Sequence, residues 1–415
     1  MTSQVVLLNS LAVSMASDSI ISQLQNDHSY KTRATSEKIL PLTNHSIAVM
    51  TSGESELAGF PIESLVWEWS RALRMPLETV EQYLESFLRW LEKLPELASL
   101  SRQENFYKRL INEYLKGLWD ATADWNMSTE QSSVVDEADL SPVSDFNAEQ
   151  LEALNNRITV WTDWVKNSEL LSNLDESWSR GVSFQFSEMV NERIAYWFDD
   201  RPLSDIQVSQ IHGALQRLAA IYNPNDFGIG LVFAGFGDKD LLPKCVSVNL
   251  YDVLSGRVRH SEAHKTSGYS FFGQWKHSVQ FIRGIDSDFQ ENVLHQVGHI
   301  VQAKLNGHGA SFSPQPSDDA SGDTVSVSRE SIAKEVSDEL REHVEKYAND
   351  AFVSPFMQVI RLSPESDLSR MAHTLVEIEA IRQSINQSTP TVGGPIDVAV
   401  ISKVNGFRWV SHKTL

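Results

Sequence analysis

Four short apolar runs with turn residues between them fill the first fifty-odd residues, up to Gly53, and their order constrains the fold more than any other stretch. Gln4 to Leu8 and Leu11 to Ala16 flank Asn9-Ser10, the signature of a tight hairpin between two antiparallel strands. Two further runs, Lys38-Ile39-Leu40-Pro41-Leu42 and Ile47-Ala48-Val49-Met50, lead through Thr51-Ser52-Gly53 into a long helical pattern. The polar stretch 22–37 is expected to be loop. Thr2 stands just before the first run and Asp18 just after the second.

These residue types suit one kind of chemistry. A Thr hydroxyl is a weak nucleophile, but a free α-amine on the same residue, with a reference pKa of about 7.7 to 8.0, serves as its general base. Removal of Met1 is expected to expose that amine on Thr2. A lysine nearby favours the developing alkoxide, and a carboxylate keeps the lysine charged and in place. A glycine lets backbone N–H groups approach a substrate oxyanion. Thr2, Asp18, Lys38 and Gly53 supply one residue of each type. Singly, each has an ordinary explanation: a tolerated small residue, a turn aspartate, an edge lysine and a helix-entry glycine.

The Thr, the alternating hairpin, Ala16-Ser17-Asp18, the Lys38 to Leu42 run and the glycine before a helix together resemble a proteasome β-type subunit, in particular the peptidase subunit of bacterial HslVU. The likeness continues at Gly228 to Val258 and at Gly393 to Ile401, roughly half of the chain in all. It implies an α+β fold of the N-terminal nucleophile (Ntn) hydrolase type, a four-layer αββα sandwich with large helical insertions. The implied divisions are 1–56 for first-half strands, 57–222 for a helical layer with its insertion and 223–306 for second-half strands and a helix. A loop with helices at 307–390 and a closing hairpin at 391–415 follow. The implied activity is threonine-dependent hydrolysis of peptide bonds in a peptide or protein substrate, with no cofactor and no metal. Self-association into rings and a protein activator are the implied partners. The family also places a Ser-Gly element near the nucleophile, for which Ser267-Gly268 and Ser270 both qualify. Ser3, Met50 and Ser52 depart from the family's usual residues.

Composition argues against other classes. A formal charge of −20 repels nucleic-acid backbones and anionic membranes at long range. The single cysteine, Cys245, rules out an intramolecular disulfide and suits a reducing compartment. With no signal-peptide pattern and no apolar run long enough to span a bilayer, a soluble cytoplasmic protein is expected.

Along the rest of the chain, three-and-four spacing predicts helices at 57–73, from Pro76 through Leu91, and from Tyr107 to Trp125. Asn126 to Asp145 reads as a linker, and helices are expected at about 148–171, 174–199 and 204–222, the last capped by Ser204. Strands return at Phe227 to Phe236 and Val246 to Val253, with a turn at Ser255-Gly256. Lys265 to Gln274 reads as irregular, followed by a helix from Trp275 to about Leu305 broken near Gly284. A loop at Gly307 to Ser328, helices at about 329–349 and 365–385, and a hairpin turning at Asn405-Gly406 complete the pattern.

Two other readings compete. His295-Gln296-Val297-Gly298-His299 has the spacing of a zinc-binding helix, with Glu377 or Glu379 as a third ligand, but Gln296 stands where such proteases have a Glu base. The Trp161 to Trp178 block suggests instead a catalytically silent scaffold that binds another protein.

Overall fold

The computed structural model describes residues 2–24, 30–34, 36–123, 148–199, 203–223, 228–307, 329–386 and 391–413. The expected linker at Asn126 to Asp145 and nearly all of the Gly307 to Ser328 loop lie outside them.

In chain order the strands and helices begin with β1 (Ser3–Leu8), β2 (Ala12–Ser17), β3 (Ile20–Leu24), β4 (Tyr30–Ala34), β5 (Ile39–Pro41), β6 (Ile47–Gly53), β7 (Glu56–Leu57) and β8 (Phe60–Pro61). Helices α1 (Ile62–Ala72), α2 (Val80–Glu92), α3 (Leu100–Ala123), α4 (Ala148–Asn167), α5 (Glu176–Gln185), α6 (Ser187–Phe198) and α7 (Asp205–Leu218) come next. Then follow β9 (Ile229–Gly235), β10 (Lys244–Leu254), β11 (Arg257–His260), β12 (His264–Thr266) and β13 (Tyr269–Gly273). The chain ends with α8 (Lys276–Arg283), α9 (Ser287–Gly307), α10 (Arg329–Ala348), α11 (Ser354–Leu362), α12 (Glu365–Asn386), β14 (Asp397–Ser402) and β15 (Gly406–Ser411). This is an α+β protein whose strand pairs β1–β2, β1–β13, β2–β14, β14–β15, β6–β9 and β10–β11 all run antiparallel.

The chain forms two compact units. One comprises Met1–Ile39, Leu241–Lys244 and Thr266–Leu415, and the other Leu40–Asp240 and Cys245–Lys265. In the first, a five-stranded sheet has the order β13-β1-β2-β14-β15, so strands from the start, middle and end of the chain are neighbours. Val5, Leu7, Ala12, Ala16, Val398 and Val400 alternate onto one face of it and pack on Leu368, Ala372, Leu375 and Val376 of α12 and Ile360 of α11. Gly284, at φ +70, ends α8 in the left-handed region, which is the break expected there.

The second unit carries a sheet with the order β11-β10-β9-β6-β5. Ile47, Val49, Leu231, Phe233 and Leu250 from its strands meet Trp69 of α1 and Tyr83, Phe87 and Leu91 of α2 in one core. A second core joins α3 to α7, with Tyr107, Ile111, Leu115, Ile158, Val190 and Leu215 buried. Ser204 opens α7 with a full capping box completed by Gln207.

Several local readings change: the expected helix at 57–73 begins at Ile62 behind the β7–β8 pair, and the one expected at 174–199 is divided into α5 and α6. The expected loop at 22–37 contains the β3–β4 hairpin, in register from Ile20 opposite Ala34 to Leu24 opposite Tyr30. The expected irregular segment before Gln274 contains β13, the edge partner of β1. Pro76 lies in the connection before α2, which starts at Val80 behind an Asx-like Thr79 cap.

Candidate active site around Asp18

The β1–β2 register places Gln4 opposite Ser17, so the residue after β2 falls beside the residue that opens β1. Asp18 N–H accordingly donates to Ser3 O at 3.1 Å, and Ser3 N–H donates back to Asp18 Oδ1 at 3.0 Å. Lys38 Nζ donates to the same Oδ1 at 2.7 Å and to Ile20 O at 2.8 Å. The other carboxylate oxygen, Oδ2, accepts from Gly393 N–H at 3.1 Å, just ahead of β14. Asp18 is wholly buried and Lys38 nearly so. Three segments distant in sequence therefore meet on one carboxylate. Burial holds the Lys38 ammonium below the ordinary lysine range, and its contact with Asp18 works against that shift.

A second buried pair lies alongside. Asp397 opens β14 opposite Ser17 and pairs with Lys413, whose Nζ also donates to Ser36 O at 2.8 Å and whose N–H donates to Asp397 Oδ1 at 2.9 Å. Lys413 pushes Lys38 further down and Asp397 draws it up, so the two pairs share one electrostatic environment. Sequence reading missed this pair. Its signal was an aspartate at the head of an otherwise apolar run, Ile396 to Ile401.

Thr2 is itself buried, at 7% exposure. Its carbonyl accepts from Gln274 N–H at 2.6 Å. Gly273, at φ +73, passes so close that a Cβ there would stand 2.0 Å from Thr2 O, so only glycine fits. Among the described residues the Thr2 hydroxyl has no hydrogen-bond partner.

The remaining candidates have other local settings. Ser270 sits opposite Val6, four positions along β1 from Thr2, and Gly268 O accepts from Leu8 N–H at the far end of that strand, so neither Ser267-Gly268 nor Ser270 reaches the Thr2 end. Gly53 belongs to the second unit, where a Cβ would meet Gly228 O at 2.2 Å, a local reason for glycine. His295 and His299 are adjacent on α9, with their Nε2 atoms 3.2 Å apart. The third ligands considered for them are engaged otherwise. Glu379 accepts from His277 N–H and Ser278 N–H at the start of α8, and Glu377 faces His373. No cluster of three metal-ligating side chains occurs among the described residues. Nor is any described helix long and apolar enough to cross a membrane.

No family model matches the chain, and no curated protein matches it. Among solved structures, a Gly-1 mutant of Anbu from Hyphomicrobium sp. strain MC1 aligns over 100% of this chain and 88% of its own, at 8% identity and a TM-score of 0.28. Similarity that low identifies no family, and it corrects the expectation of a proteasome β-type or HslV-like protein. A few small and charged residues in a given order are a short pattern, and unrelated strand-rich chains satisfy it without common descent.

Proposed function

We propose that the first unit is an amide hydrolase that uses Thr2 as an N-terminal nucleophile once the chain ahead of it has been removed. The observation that carries this reading is the three-way tie on Asp18, whose carboxylate holds both the peptide N–H following Thr2 and the Lys38 ammonium. In the proposed reaction the Thr2 amine takes the hydroxyl proton as Oγ1 attacks the substrate carbonyl. The amine then passes that proton to the departing amine. The resulting ester is hydrolysed by water, which regenerates the hydroxyl. Lys38 has three donors, of which two are committed to Asp18 and Ile20, so the third is available to the developing alkoxide. The layered arrangement of a four-layer sandwich belongs to the same proposal. Its support is that β1, β2 and β14 are buried along their whole length, on both faces.

The test combines intact-mass measurement with a fluorogenic peptide panel on wild type and Thr2→Ala. The expected result is a mature chain starting at Thr2, with turnover that rises through the amine's range of about 7 to 8 and disappears in the variant. Turnover that survives in folded Thr2→Ala, or a fully blocked Thr2 amine in active protein, sinks the reading.

A further inference from the structure

The second unit contains a polar cavity of about 650 Å³, remote in sequence from the Thr2 chemistry and unused by it. Asp252 of β10 lines this cavity although it is only 4% exposed. One of its oxygens accepts from the N–H of Val253 at 2.6 Å, and the described residues give the other no hydrogen bond. A carboxylate that has lost its water and lacks a partner is costly, so a cavity beside it invites a donor.

Three arginines act on Asp252 electrostatically, and among the described residues none is recorded as hydrogen-bonding to it. Arg259 is committed as a wall: Nε donates to Ala219 O at 2.7 Å, Nη2 donates to Ile221 O at 3.3 Å, and the guanidinium lies over the Phe106 and Tyr251 rings. Arg109 of α3 also lines the cavity, and among the described residues it forms no ion pair. Arg102, two turns back along the same face of α3, does not line the cavity; its buried Nη1 has no acceptor among the described residues. The site thus offers an open carboxylate oxygen and the exposed guanidinium of Arg109, while Glu54 and Glu56 add negative charge to its lining. A purely anionic ligand would meet these acids, and a purely cationic one would leave the Arg109 guanidinium unanswered. A ligand with an ammonium and a carboxylate on adjacent atoms answers both, and a second cation farther along answers the glutamates.

We propose that this cavity binds a free basic α-amino acid, with its α-ammonium on the open oxygen of Asp252, its α-carboxylate on Arg109 and its side-chain cation toward the glutamates. The volume lies within the range of small-molecule sites, about 300 to 1,000 Å³. Burial raises the Asp252 carboxyl to about 6, so the ammonium finds it ionised at neutral pH and the site empties as pH falls below that value. The groups facing Asp252 in this respect are Arg259 across the β10–β11 hairpin and Arg109 and Arg102 from α3.

Isothermal titration of the full chain with L-lysine and L-arginine tests this, with cadaverine and Nα-acetyl-L-lysine as probes that each lack one of the two α-groups. We expect saturable binding of at least one of the two amino acids and a loss of about tenfold or more for each analogue, because a site built for a polar group rejects the ligand without it. Asp252→Asn should abolish binding, and since it removes an uncompensated buried charge it should fold. Exposed Arg109→Ala provides a second variant and should weaken binding about tenfold. The proposal is overturned if neither amino acid binds at millimolar concentration, if cadaverine binds as tightly as lysine, or if Arg109→Ala leaves the affinity unchanged.

Discussion

Asp18 and Lys38 have both lost nearly all contact with water, so each depends on the other. Removing one charge leaves its partner buried and uncompensated, a change that typically costs about 3 to 5 kcal/mol, whereas removing both together costs much less. Lys38→Met is therefore expected to lower unfolding free energy by roughly 3 kcal/mol, and Asp18→Asn in the same chain to restore part of it. Urea denaturation of the two single variants and the double variant measures the coupling, and simple additivity would contradict a direct pair. Asp252 makes the opposite case, a buried carboxylate without a direct cation among the described residues. Its folded pKa, about 6, lies above the reference of 3.8, so the folded state holds the proton more tightly and stability falls as pH rises between those values. The size of the loss is ~3 kcal/mol, complete above the folded pKa. Compared with Asp252→Asn, wild type is expected to lose that amount between pH 4 and pH 7, as read from paired denaturation curves. A difference that stays flat across the window would show the carboxyl to be solvated or paired.

At the scale of elements, glycine placement and helix capping decide what lies next to Thr2. β13 supports the first residues of β1 only because Gly273 lets Thr2 O approach, and Gly273→Ala should dislodge that edge and with it any Thr2-dependent turnover, even where the global fold survives. Hydrogen exchange at Gln274 N–H, which bonds to Thr2 O, reports this directly: protection retained in the variant would contradict the steric argument. A few residues farther on, buried Glu379 satisfies two N–H groups at the start of α8. Glu379→Ala should cost about 2 to 3 kcal/mol and increase exchange in α8 first. Elements with local signatures were legible in the sequence: the Asn9-Ser10 hairpin, the Ser204 cap and the Gly284 break all state their geometry within a few residues. β13 was not, because Tyr269–Gly273 becomes a strand by pairing with β1 from the start of the chain, an effect of tertiary context that propensity does not carry. The strands Ile20–Leu24 and Tyr30–Ala34, which pair with each other, were missed because they are largely polar and carry no apolar alternation. The same distinction runs through the site. Asp18 and Lys38 announced themselves by order, while Asp397 and Lys413 become a pair only when β14 lies beside β2.

For the whole molecule, charge is the property that no single element explains. The sequence carries 55 acidic residues against 35 basic ones, and because Lys38 and Lys413 are buried in pairs with Asp18 and Asp397, those interior pairs leave the acidic excess unchanged. Exposed pairs such as Lys239–Glu78 and Arg341–Glu291 contribute little and weaken with salt. Repulsion among the excess acids acts over longer distances and is screened more completely as the Debye length falls from about 30 Å at 0.01 M to about 8 Å at 0.15 M. The buried pairs Lys38–Asp18 and Lys413–Asp397 are shielded from the ions and should hardly respond. Two opposing salt effects therefore act at the surface, and the size of the net charge decides their sum. Raising NaCl from about 10 to about 150 mM is expected to increase Tm by a few degrees, with a similar increase in KCl, because screening and not a specific cation is responsible. A Tm that falls over that interval would mean that local surface pairs outweigh the net charge, and that the acids stand closer to their basic partners than the sequence total implies.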